Sequence, residues 1–240
     1  MFQKIYDSLL TLAYPQICHV CSESVETSAD GVVCERCWNS ARVFCGDETL
    51  CAKCSAFLQA KPAAHETFCH QCDEHFYDAA RAVGFYEKAL AASVLYLKRE
   101  PFVAKTLKNL FISAFENSPF ADANIVVPVP LSKKRLLERG FNQAEVLAGI
   151  LSAEFGLEID AQSLARKIHT PVHRAAMDRR ARELTVENAF EVARPKLIKN
   201  KKILLVDDVF TSGATASYCA KALKKKGAEK VYVLTLARAR

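Results

Sequence analysis

The strongest constraint on the fold is a short apolar run, Ile203–Val206, that ends in two adjacent carboxylates, Asp207 and Asp208. A short, apolar, partly β-branched run is typical of a strand that is buried on both faces of a parallel sheet. Parallel strands of this kind place ligands at their carboxyl ends. The segment therefore predicts an α/β fold with a ligand site at Asp207 and Asp208.

The residues that follow the two carboxylates predict a phosphate-binding turn. They are small or carry hydroxyls, and a helix is expected to begin among them and to run over about 214–226. Free N–H groups at a helix N-terminus bind anions. The alternative is that the two carboxylates are only a helix N-cap and a turn residue. The expected phosphate-binding residues are Val209, Phe210, Thr211, Ser212, Gly213, Ala214 and Thr215.

Carboxylates beside a phosphate cradle fit a ribose 5-phosphate, whose hydroxyls need acceptors while its phosphate needs donors. The segment lacks the glycine patterns of Walker ATPases and dinucleotide dehydrogenases. It resembles the phosphoribosyl pyrophosphate (PRPP) loop of type I phosphoribosyltransferases, in which two acidic residues follow an apolar strand. This resemblance implies PRPP bound with Mg²⁺, and Asp207 and Asp208 as catalytic residues that contact the ribose and stabilise positive charge at the anomeric carbon.

Length and composition fit a domain of about 100 to 200 residues plus a small module. No apolar run reaches the roughly 18 residues that span a bilayer, and no secretory signal is evident, so we expect a cytoplasmic protein without membrane insertion. The net charge of +6 permits an anionic ligand or nucleic acid. Residues 1–16 predict a short amphipathic helix, which Pro15 ends.

Eight of the ten cysteines form four Cys-x-x-Cys pairs, which predict two zinc sites. Two pairs separated by twelve or fourteen residues complete a tetrahedral four-thiolate site. The pairs could combine sequentially or as a cross-brace, and redox dithiols are the alternative to metal. Closed thiolate sites have no open position, so the zinc is expected to be structural. The expected ligands are Cys18, Cys21, Cys34, Cys37, Cys51, Cys54, Cys69 and Cys72.

The zinc sites are expected to replace a hydrophobic core in the Cys-rich module. This module has few large aliphatic residues, and metal binding contributes on the order of 10 kcal/mol per site. Four histidines lie among the cysteine pairs, but no cysteine is missing from either set, so the histidines are interpreted as surface residues. They are His19, His65, His70 and His75.

Beyond the cysteines, predicted strands and helices alternate, which is typical of a parallel sheet with helices on both faces. A segment over about 164–192 is interpreted as a mobile hood beside the ligand cleft. Helices are expected near 90–97, 103–117, 142–155 and 214–226. Five strands are expected, near 82–86, 125–129, 164–168, 203–206 and 231–236.

A second candidate loop follows the predicted strand at 125–129, where Ser132 precedes three consecutive cations. In type I phosphoribosyltransferases the turn after this strand holds pyrophosphate through backbone N–H groups. The resemblance assigns this role to Pro130, Leu131 and Ser132, with Lys134 or Arg135 nearby. The alternative is the start of a solvated basic helix. Next comes the sequence Arg-Gly-Phe-Asn-Gln, in which an aromatic residue lies between a cation and a helix-capping Asn.

These features resemble, in this order along nearly the whole chain, the ComF/GntX family. The resemblance is carried by the cysteine pairs, Tyr86, Leu97-Lys98, the Val-Pro-Val-Pro strand end, the Arg139–Gln143 sequence, Asn188-Ala189-Phe190 and the Asp-Asp loop. It implies a double zinc ribbon over 17–78 and a type I phosphoribosyltransferase-like domain over 79–240. It also makes Lys98, Arg139, Asn142 and Gln143 candidate site residues. One departure lies in the hood, where the family usually carries Gln and Asn but this chain has His173-Arg174 and Thr185.

Two functions are consistent with this resemblance. The first is a competence protein required for DNA uptake, which binds PRPP or a related ribose phosphate. Its other expected partners are single-stranded DNA and proteins of the competence machinery. The second is an active PRPP-dependent transferase with an unidentified acceptor. Some purine salvage enzymes carry an acidic residue at the position of Thr211, where it acts as a base. This chain therefore has no evident residue to accept a proton from a purine substrate. The nucleic-acid candidates are Lys133, Lys134, Arg135, Phe141, Asn142 and Gln143.

Overall fold

A computed structural model describes residues 16–26, 31–44, 48–58, 67–167 and 189–239. The amphipathic helix predicted within residues 1–16 lies outside these ranges, apart from Gln16. Most of the predicted hood also lies outside them, including His173, Arg174 and Thr185.

The centre of the protein is a parallel sheet of five strands, in the order β1-β7-β6-β2-β3. Every pairing within it is parallel, as the sequence predicts. Its strands are β1 (Ala79–Phe85), β2 (Ile125–Pro128), β3 (Glu158–Ile159), β6 (Lys202–Phe210) and β7 (Lys230–Arg238).

The strand predicted near 164–168 does not join this sheet, and that prediction was wrong in its placement. Strand β4 (Leu164–Arg166) pairs antiparallel with β5 (Phe190–Val192) in a separate two-stranded sheet. The chain turns away after β3 because the buried Asp160 carboxylate organises a turn. It accepts hydrogen bonds from the backbone N–H groups of the two residues before β4 and forms an ion pair with Arg194 at 2.8 Å. The short strand β3 occupies the sheet edge instead.

Helices cover both faces of the central sheet, and each face has its own core. Leu204 and Val206 of β6 contribute to one core, and Ile203 and Leu205 contribute to the other, which explains the unbroken apolar run. The helices are α1 (Glu35–Asn39), α2 (Lys88–Leu97), α3 (Lys105–Glu116), α4 (Lys133–Arg139), α5 (Gln143–Phe155), α6 (Pro195–Ile198) and α7 (Ala214–Lys225), with a 3₁₀ turn at His70–Glu74. Within the described ranges, none has the length and hydropathy needed to cross a membrane.

Strand β6 is longer than the apolar run that predicts it. It continues through both carboxylates to Phe210, because β7 extends beside it and pairs Phe210 with Arg238. On its other side, pairing with β2 ends at Val206. Asp207 and Asp208 therefore lie beyond the end of β2 while β7 still holds their backbone, at the carboxyl edge of the sheet.

The basic segment after β2 forms helix α4, which the sequence offered as the alternative to a pyrophosphate loop. Ser132 caps this helix, and its hydroxyl oxygen accepts a hydrogen bond from the N–H of Arg135 at 3.4 Å. Residues 130–132 precede the helix, so they still lie at the carboxyl edge of the sheet, next to β6.

Candidate functional site

The candidate site is built around the two carboxylates at the end of β6. The N–H of Asp208 donates to Asp207 Oδ1 at 2.9 Å, and the N–H of Val209 donates to Asp208 Oδ1 at 3.0 Å. Lys98, directly after α2, places its Nζ 2.8 Å from Asp208 Oδ2. Because Gly213 is the N-cap of α7, neither carboxylate caps that helix. The pair is thus held by local backbone contacts and one ion pair.

The two carboxylates influence each other electrostatically. Burial raises the pKa of Asp207 well above its usual range, the charge of Asp208 raises it further, and Lys98 acts in the opposite direction. Arg139, at the end of α4, also feels both carboxylates: burial lowers its pKa, while Asp208 and Asp207 raise it. The free protein therefore holds one extra proton on Asp207 to higher pH than a solvated Asp would.

The turn after β6 connects the carboxylates to helix α7, and we call residues 211–215 the phosphate loop. Thr211 and Ser212 are exposed, and the Ser212 hydroxyl accepts a hydrogen bond from the N–H of Ala214 at 3.4 Å. Gly213 has a φ of +77°, a conformation that favours glycine. The first-turn N–H groups of α7 have no intrahelical acceptor. Apart from that of Ala214, which bonds to Ser212, they can donate to a ligand beside the exposed hydroxyls.

The second candidate loop contains two backbone donors where three were expected. Pro130 has no N–H, so only Leu131 and Ser132 could donate to a pyrophosphate. This part of the resemblance assignment needs correction at Pro130. The Ser132 side chain is buried and engaged in capping α4.

The Arg139–Gln143 segment is the junction between α4 and α5. Arg139 donates from Nη1 to Gln143 Oε1, and Gly140 ends α4 with a φ of +82°. Asn142 caps α5 by accepting from the N–H of Ala144 at 3.1 Å, and its Nδ2 donates to the Val129 carbonyl at 3.2 Å. Asn142 therefore ties the junction to the end of β2.

The residues suggested for nucleic-acid contact differ in exposure. Lys133 and Lys134 are exposed, Arg135 and Phe141 are half-buried, and Asn142 and Gln143 are buried with internal hydrogen bonds. The first four keep surface for a polyanion. The two amides instead hold the α4–α5 junction, including Arg139, in place.

The cysteines form two clusters, and the pairs combine sequentially. The first cluster is Cys18, Cys21, Cys34 and Cys37, and the second is Cys51, Cys54, Cys69 and Cys72. Within each cluster all four sulfurs lie within 4.8 Å of one another. A tetrahedral zinc site with Zn–S bonds of about 2.3 Å places its sulfurs about 3.8 Å apart. The geometry therefore fits one zinc ion per cluster.

The thiol electrostatics also fit a divalent cation. Burial opposes ionisation of Cys18 and Cys51, but backbone N–H groups outweigh it and lower the pKa of Cys18 to about 6 and that of Cys51 to about 7. Burial and the neighbouring thiols raise the pKa of Cys37 to about 12. One thiolate per cluster forms readily, and full ionisation needs a cation among the four.

Three residues beside the phosphate loop were missed by sequence reasoning. Tyr77 and Arg238 are buried and surround Phe210, and His75, which was expected at the surface, is half-buried beside Gly213. No spacing pattern marks them, because the fold brings them to the loop from distant parts of the chain.

Two family models match the chain: a double zinc ribbon domain over residues 9–80 and a phosphoribosyl transferase domain over residues 139–240. DNA utilization protein YhgH of Escherichia coli O157:H7 is 28% identical over 236 residues, covering 95% of this chain and 99% of that protein. Competence protein F of Haemophilus influenzae is 28% identical over 233 residues, covering 92% and 96%. Competence protein ComFC of Bacillus subtilis is 26% identical over 215 residues, covering 79% and 84%.

The fold and the site thus define a double zinc ribbon joined to a phosphoribosyltransferase domain, and the two four-cysteine clusters support structural zinc. Both parts occur in one chain that aligns with competence and DNA utilization proteins along most of their length. These are the two parts that the resemblance to the ComF/GntX family implies, in the same order along the chain.

Proposed function

We propose that this protein takes part in DNA uptake or utilisation and binds PRPP, or a related ribose phosphate, with Mg²⁺ at the carboxyl end of β6. One observation supports this choice of ligand. The two adjacent carboxylates lie a few residues before the N-terminus of α7, where Gly213 is the N-cap, and Lys98 Nζ lies 2.8 Å from Asp208 Oδ2. Acceptors for ribose hydroxyls and donors for a phosphate thus lie in one continuous segment.

The proposed biological role rests on the relatives. A DNA utilization protein and a competence protein each align with more than nine-tenths of this chain. Their names describe those proteins, and we extend the role to this chain because both of its parts, the zinc ribbon and the phosphoribosyl transferase domain, are present.

Each part of the site has a separate task in the proposed complex. The phosphate loop binds the 5-phosphate, and Leu131 and Ser132 offer N–H groups to the pyrophosphate. Asp207 and Asp208 accept from the ribose hydroxyls. Mg²⁺, when bound, neutralises pyrophosphate charge. Lys98 neutralises Asp208 in the free protein and is positioned to turn towards a phosphate when a ligand arrives.

Calorimetric titration of PRPP with Mg²⁺ tests the site directly. We expect binding by the wild type and its loss in the Asp207→Asn/Asp208→Asn double variant, because the ribose loses its anionic acceptors. Leu137→Ala is a matched control, since Leu137 lies on α4 and is 85% exposed. Equal affinity in the wild type and the double variant would overturn the assignment of the ribose to this edge.

Single-stranded DNA is proposed to contact the exposed basic start of α4. Lys133 and Lys134 are exposed, and only Lys134 has a described ion pair, a long one of 3.9 Å to Glu138. Phosphate contacts make binding fall steeply with salt. We expect Lys133→Gln/Lys134→Gln to weaken single-strand binding and to flatten its salt dependence. A titration that is indifferent to salt would contradict this surface, and repeating it with saturating PRPP tests whether the two ligands affect each other.

A second candidate function is phosphoribosyl transfer to an unidentified acceptor. The observation that favours it is the carboxylate pair, in which burial and Asp208 raise the pKa of Asp207. Full ionisation of such a pair is favoured when positive charge develops beside it, as at the anomeric carbon during transfer. Release of pyrophosphate from PRPP with nucleobases, nucleotides or DNA as acceptors is the test. If no acceptor gives turnover while PRPP still binds, the binding function stands alone.

A further inference from the structure

The segment that follows the last ligand of the second zinc cluster, His75–Tyr77, lies against the phosphate loop and the start of α7. The N–H of Phe76 donates to the hydroxyl of Ser217, in α7, at 3.1 Å. Tyr77 packs edge-on against Phe210, the last residue before the loop, with ring centroids 5.8 Å apart. This segment of the Cys-rich module therefore packs beside the candidate ligand site.

His75 makes the closest approach to the loop. Its Nδ1 faces the Tyr77 hydroxyl at 2.5 Å, and the ring lies against Gly213 of the loop. A Cβ added at Gly213 would lie 3.1 Å from His75 Cε1 and 2.6 Å from Phe210 Cζ. The imidazole and the Phe210 ring thus form a wall against which the loop backbone packs without space for a side chain.

Lys53 connects this wall to the zinc ligands. It lies between Cys51 and Cys54, and its Nζ donates to the carbonyl of Cys72 at 2.9 Å and to the carbonyl of His75 at 2.8 Å. One ammonium group therefore joins the Cys51–Cys54 pair to Cys72 and to His75. This position requires the two cysteine pairs of the second cluster to lie close together.

A parallel contact reaches the same aromatic ring from the end of β7. Arg238 is buried, donates from Nη1 to the carbonyl of Cys54 at 2.6 Å, and lies over the Phe210 ring with its guanidinium 4.8 Å from the ring centroid. Phe210 is thereby held from two sides by groups that depend on the second cluster. The first cluster has a different neighbour, because His19 beside it packs edge-on against Tyr96 of α2.

We propose that the second zinc cluster sets the conformation of the phosphate loop through Lys53 and His75, so that zinc at this cluster and the ribose phosphate bind cooperatively. This inference rests on the proposed ribose-phosphate site and concerns how ligand binding at that site is regulated. Coupling is reciprocal: the ligand at the loop also protects this zinc ion from competing chelators. His75 acts as a positioning residue, because it orders the loop backbone rather than contacting the ligand.

The test measures PRPP affinity and zinc retention in the full-length zinc-loaded protein. We expect His75→Ala and Lys53→Met to keep two zinc ions per chain and to weaken PRPP binding by about fivefold or more, within the range usual for coupled sites. His75→Gln should recover much of the affinity, because its polar side chain can still occupy the space between the Tyr77 hydroxyl and the loop backbone at Gly213. His70→Ala is the matched control, since His70 is an exposed histidine between the ligands Cys69 and Cys72.

Chelator competition distinguishes coupling from a purely structural role of His75, because a purely structural role would not change how PRPP protects zinc. In the wild type, saturating PRPP should protect one of the two zinc ions, and in His75→Ala it should protect neither. If the wild type binds no PRPP, the proposed function fails and this inference fails with it. If the wild type binds PRPP, but the zinc-loaded variants bind it equally well or PRPP protects neither ion, only the coupling is overturned.

Discussion

At the scale of single residues, the two adjacent carboxylates have unequal environments. Asp208 is ion-paired to Lys98, whereas Asp207 lies on the other side of the strand, where burial and the charge of Asp208 raise its pKa. The free protein therefore keeps a poorly stabilised carboxyl group at the site where the ligand is proposed to bind. This arrangement lowers the stability of the free protein, and it leaves a carboxyl group that a ligand hydroxyl or a cation can bind.

Replacing Asp207 with Asn should stabilise the free protein at neutral pH and weaken PRPP binding. The unfolded chain loses the Asp207 proton near pH 3.9, while the folded protein retains it, so wild-type stability falls as the pH rises from about 4 towards the raised folded pKa. Asn carries no charge and keeps the oxygen that accepts the N–H of Asp208. We expect its melting temperature to exceed that of the wild type by a few degrees at pH 7.5.

The pH dependence of this gain is the critical part of the measurement. Thermal unfolding of both proteins between pH 5 and 8 should show a difference that grows, or holds, with increasing pH. A variant that melts no higher than the wild type across this range would mean that Asp207 is stabilised as a carboxylate in the free protein.

Gly213 should tolerate no side chain. It has a φ of +77°, and an added Cβ would lie 2.6 Å from the Phe210 ring. We expect Gly213→Ala to destabilise the protein by about 1–3 kcal/mol and to weaken PRPP binding. Gly149→Ala is the control, because Gly149 is an exposed helical residue with no atom near the added Cβ, and it should stabilise by about 1 kcal/mol. Urea unfolding of both variants distinguishes the two signs.

At the scale of secondary structure elements, the junction between α4 and α5 determines where Arg139 lies. Gly140 ends α4, Asn142 caps α5, and Asn142 also binds the carbonyl of Val129 just beyond β2. The two helices and the strand end are thus joined by one buried amide. Burial lowers the pKa of Arg139, and the residue lies where the charges of both carboxylates raise it, because its helix ends at this junction.

Asn142→Ala should cost about 1–2 kcal/mol, since it removes a helix cap and leaves the Val129 carbonyl without its donor. Ser132→Ala removes the cap of α4, whose hydrogen bond is 3.4 Å long, and should cost less. Denaturant midpoints give both values. A loss in Asn142→Ala no larger than in Ser132→Ala would show that the contact to Val129 contributes nothing.

At the scale of the whole molecule, the two zinc clusters belong to different cores. Cys18, Cys34 and Cys37 pack with Leu90 and Leu97 on one face of the sheet, whereas Cys51, Cys54 and Cys72 pack with Tyr77 and Phe210 on the other. The Cys-rich module is therefore continuous with both faces of the phosphoribosyltransferase domain. Losing either zinc ion should disturb the face that it supports.

Zinc analysis should find two ions per chain in the wild type and one in Cys37→Ser or in Cys54→Ser. Each variant should unfold at a lower temperature, because zinc binding contributes directly to folding. PRPP affinity should fall more in Cys54→Ser, whose cluster contacts the phosphate loop. Two ions retained in either variant would contradict the assignment of that cysteine as a ligand.

The sequence by itself determined the features that depend on neighbours along the chain. The apolar run of β6, the capping Asn142 and the cysteine spacing each act over a few residues, so periodicity, capping chemistry and ligand geometry predict them. The Asp-Asp segment and its phosphate loop are local for the same reason. A five-stranded parallel sheet followed from the alternation of strands and helices.

Tertiary structure alone decided which distant residues meet. Strand β3 rather than β4 occupies the sheet edge because the Asp160 turn diverts the chain, and β6 extends to Phe210 because β7 pairs with it. Arg238 meets Cys54 across 184 residues of sequence, and His75 meets the phosphate loop. Strand order and packing of the zinc ribbon create these contacts, and neither leaves a periodic signal in the chain, so the wall behind the phosphate loop is visible only once the protein is folded.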